Sequence, residues 1–319
     1  MSWQSALACW FLRRRFHPHT VQSTISVEHA RKMTAKRVWS PRVPRGWLLS
    51  EQYGAAAGPL RGEWLEPLAD SRRSAPARTI LYLHGGGYYF CSPRSHRSLV
   101  FELARRADAR TFSLDYRLAP EHRFPAALDD SLAAYRWLLA VGTPAGSIVI
   151  AGDSAGGGLA LASLIALRDA GDALPAGALL FSPWTDLAAT GESIRTNDGR
   201  DPMFSGPSIA RGATIYLGDA AATHPYASPL YAEMGGLPPL FIQAGSTEVL
   251  LDDARRVAEK ARAAGVSVEF EIWPDMPHVW QIFAPFIPEA CKALDDAARF
   301  VLQVTAGRAA QASSAISIV

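Results

Sequence analysis

Ser154 stands midway between two glycines in Gly152-Asp153-Ser154-Ala155-Gly156, a spacing that suits a nucleophile. A serine held on a sharp strand-to-helix turn projects its hydroxyl away from the sheet. The residues two before and two after must lack side chains for that turn to close. The flanks agree with such a turn: Ser147 to Ala151 is a short β-branched run that reads as a buried strand. Ala155 to Ala170 is rich in alanine and leucine and reads as a helix. The Ala155 N–H then lies at a helix N-terminus, where it can help hold an oxyanion. The bland alternative is an ordinary glycine-rich turn. A second motif weighs against it: the apolar run Thr79 to Leu83 ends in His84-Gly85-Gly86-Gly87, a loop of the kind that supplies the other half of an oxyanion hole.

A serine hydroxyl attacks poorly until a histidine takes its proton, and that histidine needs a carboxylate to fix its tautomer. With a turn of this type the chain order is serine, acid, histidine. His224 falls in an irregular stretch, whereas His278 sits in the loop Asp275 to Trp280 directly after a strand-like run, and we expect His278 to be the base. The acid belongs in the loop after the strand Pro239 to Ala244, which offers Glu248, Asp252 and Asp253. Asp252 has Arg256 four residues on, a helical spacing that gives it a structural role. Glu248 stands three residues beyond Gly245, at the strand mouth, and is favoured, with Asp252 as the alternative. Other readings of the glycines fail. A dinucleotide fingerprint needs glycine where Ser154 stands, and no phosphate-binding G-x-x-x-x-G-K-[ST] is present. No His, Cys and Asp cluster has metal-ligand spacing, so neither metal nor cofactor is implied.

These residues need a scaffold, and the chain alternates strand and helix at roughly 30-residue spacing. The pattern predicts an α/β fold, a mostly parallel sheet with helices on both faces. Helices are expected at Ser98 to Arg106, Ala126 to Leu139, Leu250 to Ala264 and Pro288 to Val304, with further strands at Gly62 to Leu68, Arg110 to Asp115, Ala178 to Ser182 and Val266 to Trp273. A charged turn is expected at Arg72-Arg73. Residues 1–55 carry apolar positions at helical spacing (Trp3, Leu7, Trp10, Phe11) and read as helices lying over the sheet, with a membrane-adherent leader as the alternative. Residues 56–304 form the main domain, in which 184–231 is an irregular excursion over the sheet edge. Residues 305–319 read as a disordered tail.

The 319 residues are 49% hydrophobic with a formal charge of +2, enough to bury a core and too balanced for a nucleic-acid partner. Cys9, Cys91 and Cys291 are odd in number and far apart, which suggests a reducing compartment and a cytoplasmic protein. No apolar run reaches transmembrane length, and the Arg13 to Arg15 cluster follows the apolar run Ala6 to Leu12, the wrong polarity for a signal peptide.

Together these residues resemble one family, the hormone-sensitive-lipase-like (bacterial family IV) esterases of the α/β-hydrolase superfamily. The likeness covers roughly residues 80–300. Its anchors are His84 to Gly87, Asp115-Tyr116-Arg117-Leu118-Ala119-Pro120-Glu121, Gly152 to Gly157 and Ser182-Pro183-Trp184. The resemblance implies that Gly85, Gly86 and Ala155 offer the oxyanion-hole amides, and that the N-terminal helices with part of 184–231 form a helical cap. It places the acid in Gly245-Ser246-Thr247-Glu248-Val249-Leu250, with glutamate where the family usually has aspartate. The charged residues of Asp115 to Glu121, and Asp153, look structural.

The expected activity is hydrolysis of carboxylic esters through an acyl-enzyme, with a small ester as the partner molecule and a homodimer compatible with it. Tyr88, Trp184, Phe204 and Trp280, with Tyr89, Phe90 and Phe283, are bulky side chains expected to shorten the acyl pocket to roughly two to eight carbons. An amidase on the same residues, or a non-catalytic binding protein of the same fold, are the alternatives.

Overall fold

The apolar runs of the sequence become the strands of one sheet in the computed structural model, which describes residues 1–36, 41–54, 61–68 and 78–306. In chain order the elements are α1 (Trp3–Arg15), α2 (His17–Thr20), α3 (Val27–Lys36), β1 (Trp47–Gln52), β2 (Gly62–Pro67), β3 (Thr79–Leu83), α4 (Arg97–Ala107), β4 (Arg110–Leu114) and α5 (Ala126–Ala140). They continue with β5 (Ile148–Asp153), α6 (Ala155–Asp169), β6 (Gly177–Phe181), α7 (Ser193–Thr196), α8 (Gly206–Leu217), β7 (Leu240–Gly245), α9 (Leu251–Ala263), β8 (Val268–Trp273) and α10 (Pro288–Val304). The Arg72-Arg73 turn and residues 307–319 of the expected tail lie outside the described residues.

The eight strands are ordered β1-β2-β4-β3-β5-β6-β7-β8. β1 and β2, and β2 and β4, pair antiparallel, while every pair from β4 onward is parallel. Side chains alternate across a strand, and here both sets are buried. Leu81, Leu83, Ile148, Ile150 and Leu180 join α5, α6 and α9 in one core layer. Ile80, Tyr82, Val149, Leu179 and Phe181 join α4 and α10 in the other. Because both faces are covered, the strands read as continuous apolar runs. α6 is buried along one unbroken stretch from Ala155 to Leu167, which accounts for its lack of a polar face.

One element departs from the sequence reading. Trp47–Gln52, assigned there to the helical segment 1–55, is the edge strand β1. It contains no β-branched residue, and its burial alternates irregularly between half-buried and exposed. An edge strand facing solvent carries little of the signal that marks a buried one. Within residues 1–36 the segment is helical over α1, α2 and α3. α1 buries Ser5 and Leu12, and Arg31 of α3 donates to the carbonyls of Tyr89 (2.9 Å) and Ala119 (2.8 Å) and to both carboxylate oxygens of Glu121 (2.7 Å each). Among the described residues no helix is long and apolar enough to cross a membrane.

Candidate active site

The parallel registers bring the C-terminal ends of β3, β5, β6, β7 and β8 side by side, with Leu83 opposite Gly152, Asp153 opposite Phe181 and Gly245 opposite Trp273. Loops leaving this edge carry most of the residues singled out above, as ligand sites on open parallel sheets do. Ser154 occupies the turn from β5 to α6 with φ 53° and ψ −121°, a conformation that non-glycine residues adopt only when the surroundings impose it. The two glycines supply the clearance. A Cβ on Gly152 would lie 2.2 Å from the Gly156 carbonyl oxygen, and one on Gly156 would lie 2.0 Å from that of Leu83. Ser154 itself is 9% exposed.

Glu248 and His278 meet as the sequence suggests. His278 Nδ1 lies 2.8 Å from Glu248 Oε2, and both side chains are buried. A carboxylate only accepts, so Nδ1 carries the proton and Nε2 is left as the basic nitrogen. Nε2 is buried and has no hydrogen-bond partner among the described residues; a hydrogen bond from Ser154 to it is not formed. Such bonds commonly tighten only once substrate is bound. Burial works against protonating His278. The hydrogen bond and charge of Glu248, with Asp201 and Asp153 further off, outweigh it and carry the imidazole pKa above its ordinary value.

Ser182 joins these parts. Its hydroxyl donates to Glu248 Oε1 (2.7 Å) and accepts from the Val279 N–H (3.1 Å), while the carbonyl of the preceding Phe181 accepts from the Ser154 N–H at 2.8 Å. Asn197 donates to the Glu248 carbonyl (2.8 Å), Asp201 accepts from the Val249 N–H (2.9 Å), and the Gly245 N–H donates to Glu248 Oε1. Asp252 lies elsewhere. It accepts from the Ser193 N–H at 2.8 Å and pairs with Arg255 at 2.7 Å, not with Arg256, which reaches Asp186 instead. Its structural reading stands with a different partner.

The oxyanion loop needs a correction. The Gly85 N–H donates to Asp153 Oδ1 at 2.9 Å, so it is not free for a substrate oxygen. Asp153 also accepts from the Tyr82 hydroxyl (2.7 Å) and faces His96 Nε2 (3.1 Å). Burial disfavours charge on both, but each partner favours the other's charged form, so Asp153 is lowered and His96 raised. The N–H groups of Gly86 and Gly87 take no hydrogen bond among the described residues. Both glycines have positive φ, 114° and 59°, which turns the loop back under Tyr89 and Phe90, whose N–H groups donate to the Gly86 carbonyl. Buried His84 stacks on Tyr116 with ring centres 4.3 Å apart. Burial, then the neighbouring His96, push its pKa down to about 3, so it is neutral.

Residues 80–282 match a protein family described as the α/β-hydrolase fold. Over 248 residues, 78% of this chain and 81% of the relative, the sequence is 47% identical to an acetyl-hydrolase of Streptomyces hygroscopicus. It is 38% identical to an esterase of Acinetobacter venetianus over 76% of this chain and 78% of that one. A crystal structure of an esterase from the bacterial hormone-sensitive lipase family superposes with a TM-score of 0.86 at 40% identity, over 96% of this chain and 99% of that one. The chain belongs to the hormone-sensitive-lipase-like esterases of the α/β-hydrolase superfamily.

In this esterase the expected pocket residues do not share one place. Phe204 is half-buried and sets its ring edge-on to His278, centres 5.1 Å apart. The Trp184 N–H donates to the Ser154 carbonyl at 2.9 Å, and the Trp184 ring and Tyr89 both lie close to Gly212 of α8. Tyr88 is buried and stacks on Tyr216 of α8 at 3.7 Å. Trp280 is different: it is fully buried in the α4–α10 core layer beside Trp273, and Phe283 packs against the same layer. An aromatic run after a histidine looks the same in sequence whether it faces a pocket or a core.

Sequence reasoning missed Ser182, Asn197 and Asp201 as supports of the acid and base. Ser182 lay within a motif already noted, and its φ of 46° marks a special turn. Asn197 and Asp201 had no local signal, because their partners are about fifty residues away in the chain. Among the described residues no group of three or more His, Cys, Asp or Glu side chains is placed to hold a metal ion.

Proposed function

We propose that this esterase works through an acyl-enzyme on Ser154, with His278 as base and Glu248 as the acid that orients it. Ser154 Oγ attacks the ester carbonyl carbon while His278 Nε2 takes its proton. The carbonyl oxygen becomes an oxyanion held by the amides of Gly86, Gly87 and Ala155. His278 returns the proton to the departing alcohol, and a water molecule repeats the sequence to release the acid. Glu248 holds the proton-bearing Nδ1 and stabilises the imidazolium in between.

The observation that carries this reading is the buried Glu248–His278 contact at 2.8 Å, which leaves Nε2 unpartnered among the described residues, in a loop that Ser182 ties to the end of β6, whose Phe181 carbonyl accepts from the Ser154 N–H. The preferred substrates are esters with short acyl chains of roughly two to eight carbons, supported by the aromatic packing of Trp184, Tyr88 and Tyr216 next to the serine. α1 to α3 with α8 form the cap over the site, supported by the Arg31 contacts to the Tyr89 carbonyl, just after the glycine loop, and to Ala119 and Glu121. The expected outcome for Ser154→Ala and His278→Ala is a loss of roughly 10⁴- to 10⁶-fold in kcat with an unchanged circular-dichroism spectrum. Near-full activity in either variant would remove the residue from the mechanism.

A further inference from the structure

α1 turns two unlike faces in opposite directions. Ser5 and Leu12 are 1% and 2% exposed, and the Ser2 and Ser5 hydroxyls donate to Glu289 Oε2 at 2.7 and 2.9 Å. On the outer face Trp3 is 73% exposed, Leu7 56%, Trp10 54% and Phe11 41%. Their spacing of i, i+4, i+7 and i+8 gathers them within about 100° of arc. The helix has no acidic residue and ends in Arg13-Arg14-Arg15, all exposed. The Arg14 guanidinium lies over the Trp10 ring, 5.5 Å from its centre, in line with the stripe. Arg13 is committed to the carbonyls of Gly199 (3.0 Å) and Arg200 (2.7 Å).

We propose that this face of α1 docks the protein on an anionic lipid bilayer, with the rings seated among the headgroups and Arg14 and Arg15 on their phosphates. Tryptophan favours the boundary between apolar and wet surroundings. An exposed stripe of rings and a leucine that runs directly into arginines can seat its apolar side chains among headgroups while the guanidiniums meet lipid phosphates. A second copy of this chain is the poorer occupant. The four side chains offer on the order of 500 Å² of exposed surface, whereas a standard stable interface buries about 800 Å² per partner. The position also fits, since Ser5 Oγ is 3.9 Å from the sulfur of Met276, two residues before His278. Docking through the outer face of α1 therefore holds against the lipid surface the helix that packs beside the loop carrying His278.

The test is co-sedimentation of the full chain with phosphatidylglycerol vesicles and with phosphatidylcholine vesicles at low and high salt. The expected result is at least tenfold stronger partition onto phosphatidylglycerol, weakened by salt, with a blue shift of tryptophan emission. The quadruple variant Trp3→Ser, Leu7→Ser, Trp10→Ser, Phe11→Ser should lose tenfold or more of that partition. So should the double variant Arg14→Gln, Arg15→Gln, which alters only exposed charge and keeps the test sound if the quadruple variant folds poorly. Absence of binding to phosphatidylglycerol vesicles, or equal binding to both lipids, overturns the proposal. So does a dimer in sedimentation velocity that the double variant leaves intact and the quadruple variant converts to a monomer, with vesicle partition unchanged in both.

Discussion

Glu248 is held on its carboxylate by Ser182 and the Gly245 N–H, and on its backbone by Asn197. One oxygen is therefore fixed by the protein and the other is aimed at His278. That division of labour predicts how activity depends on pH. In the proposed mechanism only neutral His278 takes the serine proton, and its pKa is raised, so kcat/KM should climb with pH along a limb centred above the ordinary histidine value of about 6.5. Glu248→Gln removes the charge that raises it. The limb should move to lower pH while kcat falls by roughly 10⁴-fold. Asp252→Ala should keep both the limb and kcat, and lose about 1 kcal/mol of stability with its hydrogen bond to Ser193. A crippled Asp252→Ala with normal stability would exchange the two assignments.

At the scale of elements, the irregular stretch after β6 is tied to the first turn of α9 by one buried carboxyl group. Asp253 Oδ2 accepts from the N–H groups of Thr185 and Asp186, both at 2.8 Å. Burial raises its pKa to about 8, against the pull of those two donors. The folded protein therefore keeps a proton there up to about pH 8 that the unfolded chain releases near pH 4. The native state binds the extra proton across that window, so stability falls as pH rises through it. Asp253→Asn retains an oxygen for the two donors and abolishes the titration. Its melting temperature relative to wild type should rise from pH 5 to about pH 8 and level off above that. A difference between the two proteins that stays constant with pH would contradict this account.

At the scale of the whole molecule, α8 packs against Tyr88 and Trp184, and the Trp184 N–H donates to the Ser154 carbonyl, so this packing sets the room available for an acyl chain in the proposed mechanism. Each additional methylene of an acyl chain is worth about 0.8 kcal/mol only while there is room to bury it. For acetyl, butyryl, octanoyl and palmitoyl esters of one chromogenic alcohol, kcat/KM should peak within the first three and fall at palmitoyl. A maximum at palmitoyl would overturn the short-pocket reading. The same packing marks the limit of what the sequence reveals. The central strands are legible because both faces are buried. The elbow and the glycine loop are legible because their chemistry demands fixed local spacing, and Glu248 and His278 because each follows a readable strand. What depends on distant partners is not legible. The Gly85 amide is engaged by Asp153, sixty-eight residues away, and nothing near Trp280 says that its ring faces the core. β1 went unread because an exposed edge need not be apolar.

The claim on which all of this rests is a covalent intermediate on Ser154, and rapid mixing with p-nitrophenyl acetate tests it most directly. The account predicts a burst of nitrophenol approaching one equivalent per active site where deacylation is the slower step. Acid quenching during the burst should leave a single acetyl group on the peptide that contains Ser154, absent from Ser154→Ala and from His278→Ala. Turnover by the unmodified protein with no acetyl on that peptide, or with the label on another residue, would contradict it.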